Sequence, residues 1–161
     1  MRTIETIVYK FDELSAAAKQ KAVDNLRDIN VEPGSNWWKS TYEDAANIGL
    51  KITSFDLDRN KHAKGEFMIS AIDTMNKIIK EHGEGTETYS IAIGFEAAID
   101  NIMNDEEKQD IQKLEDEFLM NLQDNYADML QQDSDYLQTD ESITETIQAN
   151  DYEFTEDGKL I

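Results

Sequence analysis

A long apolar stripe in the C-terminal half constrains the fold more than any other feature of the chain. Between Glu106 and Gln132, apolar side chains recur every three or four residues, the spacing of one face of an α-helix. The stripe consists of Ile111, Leu114, Phe118, Leu122, Tyr126 and Met129. Asn104 and Asp105 precede it and are suited to cap its first turn. Because a helix this long must bury its apolar face, we expect a core to form around it.

Shorter patterns predict the remaining elements. Alternating residues predict a strand over Thr3–Lys10 and a second over Leu50–Asp58, which forms a hairpin with Glu66–Ala71. Helical spacing predicts a helix ending at Ile29 and capped by Ser15 or Asp12, and further helices over Trp37–Ile48, Asp73–Glu81, Thr88–Met103 and from Thr139 or Asp140 to Asn150. Tyr152–Phe154 and Lys159–Ile161 indicate a last hairpin around an Asp-Gly turn. The predicted fold is α+β over 1–161 as a single domain, with a small antiparallel sheet and hairpins packed against five or six helices.

Two glycines carry specific expectations. Gly49 follows the second predicted helix, where a left-handed residue commonly ends a helix. Gly94 lies inside the stripe of the helix predicted over Thr88–Met103, and we expect it to permit a close helix crossing.

The charge of the chain is concentrated in its second half. The whole chain has 15 Lys+Arg against 35 Asp+Glu, a net charge of -20. Residues 1–82 carry 12 basic and 13 acidic side chains, whereas residues 83–161 carry 3 and 22. Such a charge opposes direct binding to nucleic acid and to anionic membrane surfaces, so basic proteins are the expected partners.

Few residue types suited to catalysis or metal binding are present. The chain has no Cys, and only His62 and His82 offer imidazoles, which we expect to be solvent-exposed. The segment Asp56–Phe67 begins like a calcium loop, but Lys61 stands where such a loop needs Gly and Phe67 where it needs Glu. We therefore expect no catalytic centre, resident metal or cofactor. The N-terminus lacks the apolar core of a signal peptide and no apolar run could span a bilayer, so a cytoplasmic protein is expected.

The acidic half suggests a binding surface. Carboxylates three or four residues apart on a helix are neighbours at roughly 5–6 Å between Cβ atoms, close to the spacing of phosphates along a nucleic-acid strand. The candidate partner-binding residues are Glu106, Glu107, Asp110, Glu117, Asp124, Asp128, Asp133 and Asp135. The alternative is that a solvated acidic face only keeps the protein soluble. A second candidate surface is the cluster of Trp37, Trp38 and Tyr42, which suits either base stacking or the core.

Parts of the chain resemble a family of small proteins encoded by bacteriophages, prophages and plasmids. The resemblance is most evident in VYKFDELSAAAKQKA, in NWWKSTYEDAANIGLKITSFDLDR, in KGEF and in ESITETIQANDYEFTEDGKL, and it extends over most of the chain. It implies an origin in a mobile element and an anti-defence role, as an anti-CRISPR or antirestriction inhibitor that occupies the nucleic-acid channel of a host complex. It assigns no functional residue.

The leading hypothesis is therefore a non-enzymatic inhibitor of a basic, nucleic-acid-binding protein of a bacterial host. An alternative is an antitoxin-like module that neutralises a basic toxin, because members of the family that the chain resembles carry antitoxin-like descriptions. A third is a small enzyme acting on a nucleotide signal of host immunity. The oligomeric state stays open, since the apolar stripes suffice for one core and would also serve a homodimer.

Overall fold

The computed structural model describes residues 1–103 and 111–161. In these residues the chain forms six α-helices and four short strands, which confirms the α+β class. In chain order the elements are β1 (Tyr9–Lys10), a 3-10 turn (Phe11–Glu13), α1 (Ala16–Asn25), α2 (Lys39–Asn47), β2 (Leu50–Asp56), β3 (His62–Phe67), α3 (Ala71–Glu81), α4 (Glu87–Met103), α5 (Ile111–Leu137), α6 (Asp140–Ala149) and β4 (Glu153–Phe154). The strands form two separate antiparallel pairs, β1 with β4 and β2 with β3.

The described chain divides into two compact units. The first unit comprises Met1–Trp37 and Asp133–Ile161, and the second unit comprises Trp38–Gln132. Each unit has its own cluster of buried apolar side chains. The boundary does not follow the change in charge near residue 82, and the single domain over residues 1–161 stays a prediction.

The first unit is organised by two capped helices and a short sheet. Of the two predicted candidates, Ser15 and not Asp12 caps α1, by accepting a hydrogen bond of 3.1 Å from the backbone N–H of Ala18. Thr139 caps α6 in the same way through the N–H of Ser142. The core consists of Phe11, Leu14, Ala18, Ala22, Val23, Ile143, Ile147 and Phe154.

The strand predicted over Thr3–Lys10 is much shorter in the structure. Only Tyr9 and Lys10 pair, in register with Phe154 and Glu153, and residues 1–8 are exposed. The partner strand β4 is itself only two residues long before the turn that leads to Gly158. Since a strand needs a neighbour for its backbone hydrogen bonds, β propensity alone did not extend β1.

The long helix α5 continues five residues beyond the predicted end at Gln132. Its last turn is held by side chains from the other chain segment of the first unit. Asn30 donates a hydrogen bond of 2.9 Å to the carbonyl of Leu137, and Arg27 donates one of 3.0 Å to the carbonyl of Gln138. These bonds satisfy carbonyl groups that a helix end leaves without partners. The predicted start at Glu106 and its caps lie outside the described residues.

The second unit contains a β-hairpin whose second strand begins earlier than predicted. β3 covers His62–Phe67, where the sequence pattern indicated Glu66–Ala71, and its register pairs Leu50 with Phe67. The chain leaves the strand before Ser70, whose hydroxyl accepts a hydrogen bond of 3.0 Å from the N–H of Asp73 and so caps α3. This cap favours the start of a helix over the continued strand that the alternating apolar residues had predicted.

The core of the second unit surrounds the predicted stripe of α5. Phe118, Leu122 and Tyr126 are buried, as the stripe predicted, whereas Ile111 at the described start of α5 is exposed. Other elements supply Ala45, Ile48, Leu50, Ile52, Ala71, Met75, Ile78, Ala92 and Phe95.

The two glycines of the second unit differ in outcome. Gly49 has a φ of 90°, which confirms the left-handed residue at the end of α2. The prediction of a close helix crossing at Gly94 was wrong. Gly94 is exposed, and outside its own helix a Cβ at this position would meet no atom of residues 1–103 and 111–161 within 4 Å.

Candidate functional site

Three of the predicted partner-binding carboxylates lie on one exposed face of α5, which we call the acidic face. Glu117, Asp124 and Asp128 are spaced by seven and four residues, so they return to the same side of the helix, and all three are exposed. Asn121 occupies the turn between the first two. The row extends about 16 Å along the helix axis. These residues belong to the second unit.

The acidic face is only partly neutralised by the chain itself. Asp128 forms an ion pair with Lys61, which lies in the β2–β3 connection, and Oδ1 of Asp128 is 2.5 Å from Nζ of Lys61. Within residues 1–103 and 111–161, neither Glu117 nor Asp124 has an ion-pair partner. α5 carries seven carboxylates and a single basic residue, Lys113. The exposed carboxylates therefore leave a negative potential that is available to a partner.

Glu87, from the first turn of α4, borders three of the cavities that the described residues form beside the acidic face. One, of about 380 Å³, has Asp124 and Asp128 in its wall. Another, of about 730 Å³, adds Asp44 and Glu81 to Asp128. Counting Glu117, which lines the third cavity, the structure thus brings six carboxylates from four helices around neighbouring surface depressions.

The third cavity, of about 360 Å³, is a groove between α4 and α5 that combines apolar and acidic groups. We call it the α4–α5 groove. Its lining residues are Glu87, Ser90, Ile91, Gly94, Phe95, Ala98, Leu114, Glu117, Phe118 and Asn121. The rings of Phe95 and Phe118 stack with centroids 4.3 Å apart and form its buried floor. Ordinary ligand pockets have volumes of this size.

The two histidines take structural positions that the sequence did not predict. Both are half-buried, where exposed side chains were expected. His62 Nδ1 lies 2.6 Å from the backbone oxygen of Asn60, and His82 Nδ1 lies 2.5 Å from the hydroxyl of Thr88. Among the described residues, no group of three or more His, Asp or Glu side chains is arranged to hold a metal ion. No helix in the described ranges is long and apolar enough to cross a membrane.

The remaining predicted site residues do not join the acidic face. Glu106, Glu107 and Asp110 lie outside the described residues. Asp133 and Asp135 belong to the first unit, where Asp133 is half-buried and Asp135 is exposed.

Sequence reasoning missed Glu87, the carboxylate common to all three cavities. The spacing of Glu117, Asp124 and Asp128 was readable in the sequence because they share one helix. Glu87 comes from a different helix, about 30 residues earlier, and no local spacing links it to α5.

Trp38 and Tyr42, two members of the predicted aromatic cluster, pack beside the β-hairpin of the second unit. The ring of Trp38 lies 4.6 Å from that of Tyr42, which in turn lies 6.1 Å from Phe55 on β2. Both tryptophans are half-buried. Tyr42 thus packs against both the core and the hairpin, which favours the core over base stacking for this residue.

No protein-family model, curated protein or solved structure that was compared with the chain matches it. The resemblance to proteins of mobile elements therefore stays a prediction, and the functional argument rests on the site itself.

Proposed function

We propose that the chain is an anti-defence inhibitor of the phage type, an anti-CRISPR or antirestriction protein that acts in the cytoplasm of a bacterial host. In this proposal the acidic face binds the nucleic-acid site of a basic defence protein and competes with DNA or RNA. The observation that carries it is the exposed row of Glu117, Asp124 and Asp128, bordered by Glu87.

Electrostatics supports a basic partner of this kind. Sites that bind nucleic acid present Lys and Arg side chains to phosphates, and a row of carboxylates offers those side chains an alternative set of anions. Opposite potentials also steer the encounter and raise its rate, an effect that salt screens. Steep salt dependence of binding is therefore expected.

An antitoxin would need a similar negatively charged surface. A basic toxin would meet the same carboxylates, so the acidic face by itself favours neither partner. The resemblance to proteins of mobile elements favours the anti-defence hypothesis.

The test uses bacteria that carry one defined CRISPR or restriction system and a phage which that system blocks. Expression of the native chain is expected to restore plaques. The triple variant Glu87→Lys, Glu117→Lys, Asp124→Lys should lose this effect, because it reverses three carboxylates that have no ion-pair partner within the described chain.

The matched control is Glu5→Lys, Glu32→Lys, Glu156→Lys, which changes the net charge equally at exposed positions of the first unit. This control should still restore plaques. Equal activity of the two triple variants would contradict a role for the acidic face. Failure of the native chain to relieve any of a panel of such systems would contradict the anti-defence proposal.

A further inference from the structure

We propose that the α4–α5 groove binds an apolar side chain of a Lys- or Arg-rich helical segment, seated over Gly94 with Glu87 and Glu117 on either side. This inference rests on the proposed function, because it assigns a basic partner to the same part of the second unit. It adds which part of that partner docks and where.

The floor of the groove suits an apolar side chain. Phe95 and Phe118 stack almost in parallel, at 7° between ring planes, and are nearly fully buried. Ile91 and Leu114 line the same space and are half-buried, so part of their apolar surface still contacts water. An inserted Leu or Phe would remove this surface from water, which is favourable in proportion to the area buried.

Gly94 keeps this floor accessible. It lies in the interior of α4, where Gly is less favourable than Ala by about 1 kcal/mol. A Cβ at Gly94 would meet no atom within 4 Å outside its own helix, so packing inside the described chain does not require Gly there. The missing side chain leaves open space in the wall of a groove of about 360 Å³. That space is what a partner's side chain would occupy.

The rim of the groove selects the charge of the occupant. Glu87 and Glu117 line it and are exposed, and neither has an ion-pair partner among the described residues. With a net charge of -20 on the chain, an acidic segment would be repelled and a basic one attracted. A helix that presents apolar anchors on one face and Lys or Arg beside them satisfies both the floor and the rim.

The experiment measures the affinity of two synthetic peptides for the full chain by isothermal titration calorimetry. The leucine–lysine peptide is an amphipathic helix of about 18 residues, or about five turns. The serine–lysine peptide has the same lysines and carries Ser in place of every Leu. We expect the native chain to bind the leucine–lysine peptide about tenfold or more tightly than the serine–lysine peptide, since one buried apolar side chain is sufficient for that ratio.

Gly94→Leu is the decisive variant, because it fills the groove and leaves every charge in place. It should reduce the preference for the leucine–lysine peptide to about twofold or less. Ala97→Leu is the matched control: it adds the same side chain at an exposed position of α4 that does not line the groove. Leu is a good helix former, so both variants should keep the native circular dichroism spectrum.

The outcomes separate the groove from the acidic face. Equal affinities for the two peptides, or an unchanged preference in Gly94→Leu, would overturn the groove proposal and leave the proposed function standing. Failure of both peptides to bind the native chain would overturn both, because the acidic face would then attract no basic partner. A preference that is lost in Gly94→Leu and kept in Ala97→Leu would support the groove.

Discussion

The hydroxyl of Tyr126 on α5 donates a hydrogen bond of 3.0 Å to Oδ2 of Asp44 on α2. Tyr126 is fully buried, whereas Asp44 is half-buried in the wall of a cavity beside the acidic face. Burial, and then the negative charge of Asp44 and its hydrogen bond, raise the pKa of Tyr126 well above its ordinary value. The contact therefore links the core of the second unit to one of the carboxylates near the candidate site.

This raised pKa predicts a specific alkaline dependence of stability. Above about pH 10 the unfolded chain loses the tyrosine proton while the folded chain keeps it. The contribution of Tyr126 to the free energy of unfolding is therefore complete below that pH. Above it, this contribution falls by about 1.4 kcal/mol per pH unit. Tyr126→Phe should remove this part of the slope, measured as the free energy of unfolding in urea between about pH 9 and about pH 11. Tyr136→Phe, at an exposed position, should leave the slope unchanged. Equal slopes in Tyr126→Phe and the native chain would contradict the prediction.

Lys61 is predicted to mask part of the acidic face. Its ammonium group lies 2.5 Å from Oδ1 of Asp128, and both side chains are about half exposed. Exposed ion pairs contribute about 0–1 kcal/mol, so Lys61→Ala should change the free energy of unfolding little. It should bind the serine–lysine peptide about two- to fivefold more tightly at low salt, because Asp128 is unmasked. Lys51→Ala makes the same change in net charge without touching Asp128, and identical affinities of the two variants would refute the masking.

Gly158 is predicted to be irreplaceable in the first unit. Its φ is 87°, and a Cβ there would overlap the carbonyl oxygen of Ala18 on α1. Gly158→Ala should lower the free energy of unfolding by more than about 1–2 kcal/mol, from backbone strain and the clash together. Urea denaturation measures the loss. Gly34→Ala, in an open turn of the same unit, should stay within about 0.5 kcal/mol of the native value. A similar loss in both variants would count against this explanation.

Thr74 is predicted to weaken the second unit. Its side chain is completely buried, and its hydroxyl has no hydrogen-bond partner among the described residues. Thr74→Val keeps the shape and removes the desolvated hydroxyl, so the free energy of unfolding should rise by about 1 kcal/mol. Thr88→Val is the opposite case, because the buried hydroxyl of Thr88 contacts His82. It should lower stability by about 1 kcal/mol. Thermal or urea unfolding of both variants tests the pair, and a loss in Thr74→Val would contradict it.

Local structure was predictable where a single residue sets the backbone conformation. Ser15 and Thr139, each one of two candidates at its helix start, cap their helices, because the capping hydrogen bond forms within three residues. Gly49 takes the left-handed conformation that ends α2.

Features that depend on distant segments were not predictable in this way. The pairing of Tyr9 with Phe154 joins residues near opposite ends of the chain, and it limits β1 to the length of β4. The end of α5 is held by Asn30 and Arg27, which no pattern around Leu137 reveals.

The sequence alone therefore determined that the helices form and the side of α5 on which Glu117, Asp124 and Asp128 lie, since helical periodicity places residues of one segment relative to each other. Tertiary structure decided what faces them. It set Glu87 beside the acidic face and opened the α4–α5 groove over Gly94, where the sequence pattern had indicated a helix crossing. The physical reason is that packing between α4 and α5 depends on the shapes of many side chains at once, whereas a helical face depends only on the spacing within one helix.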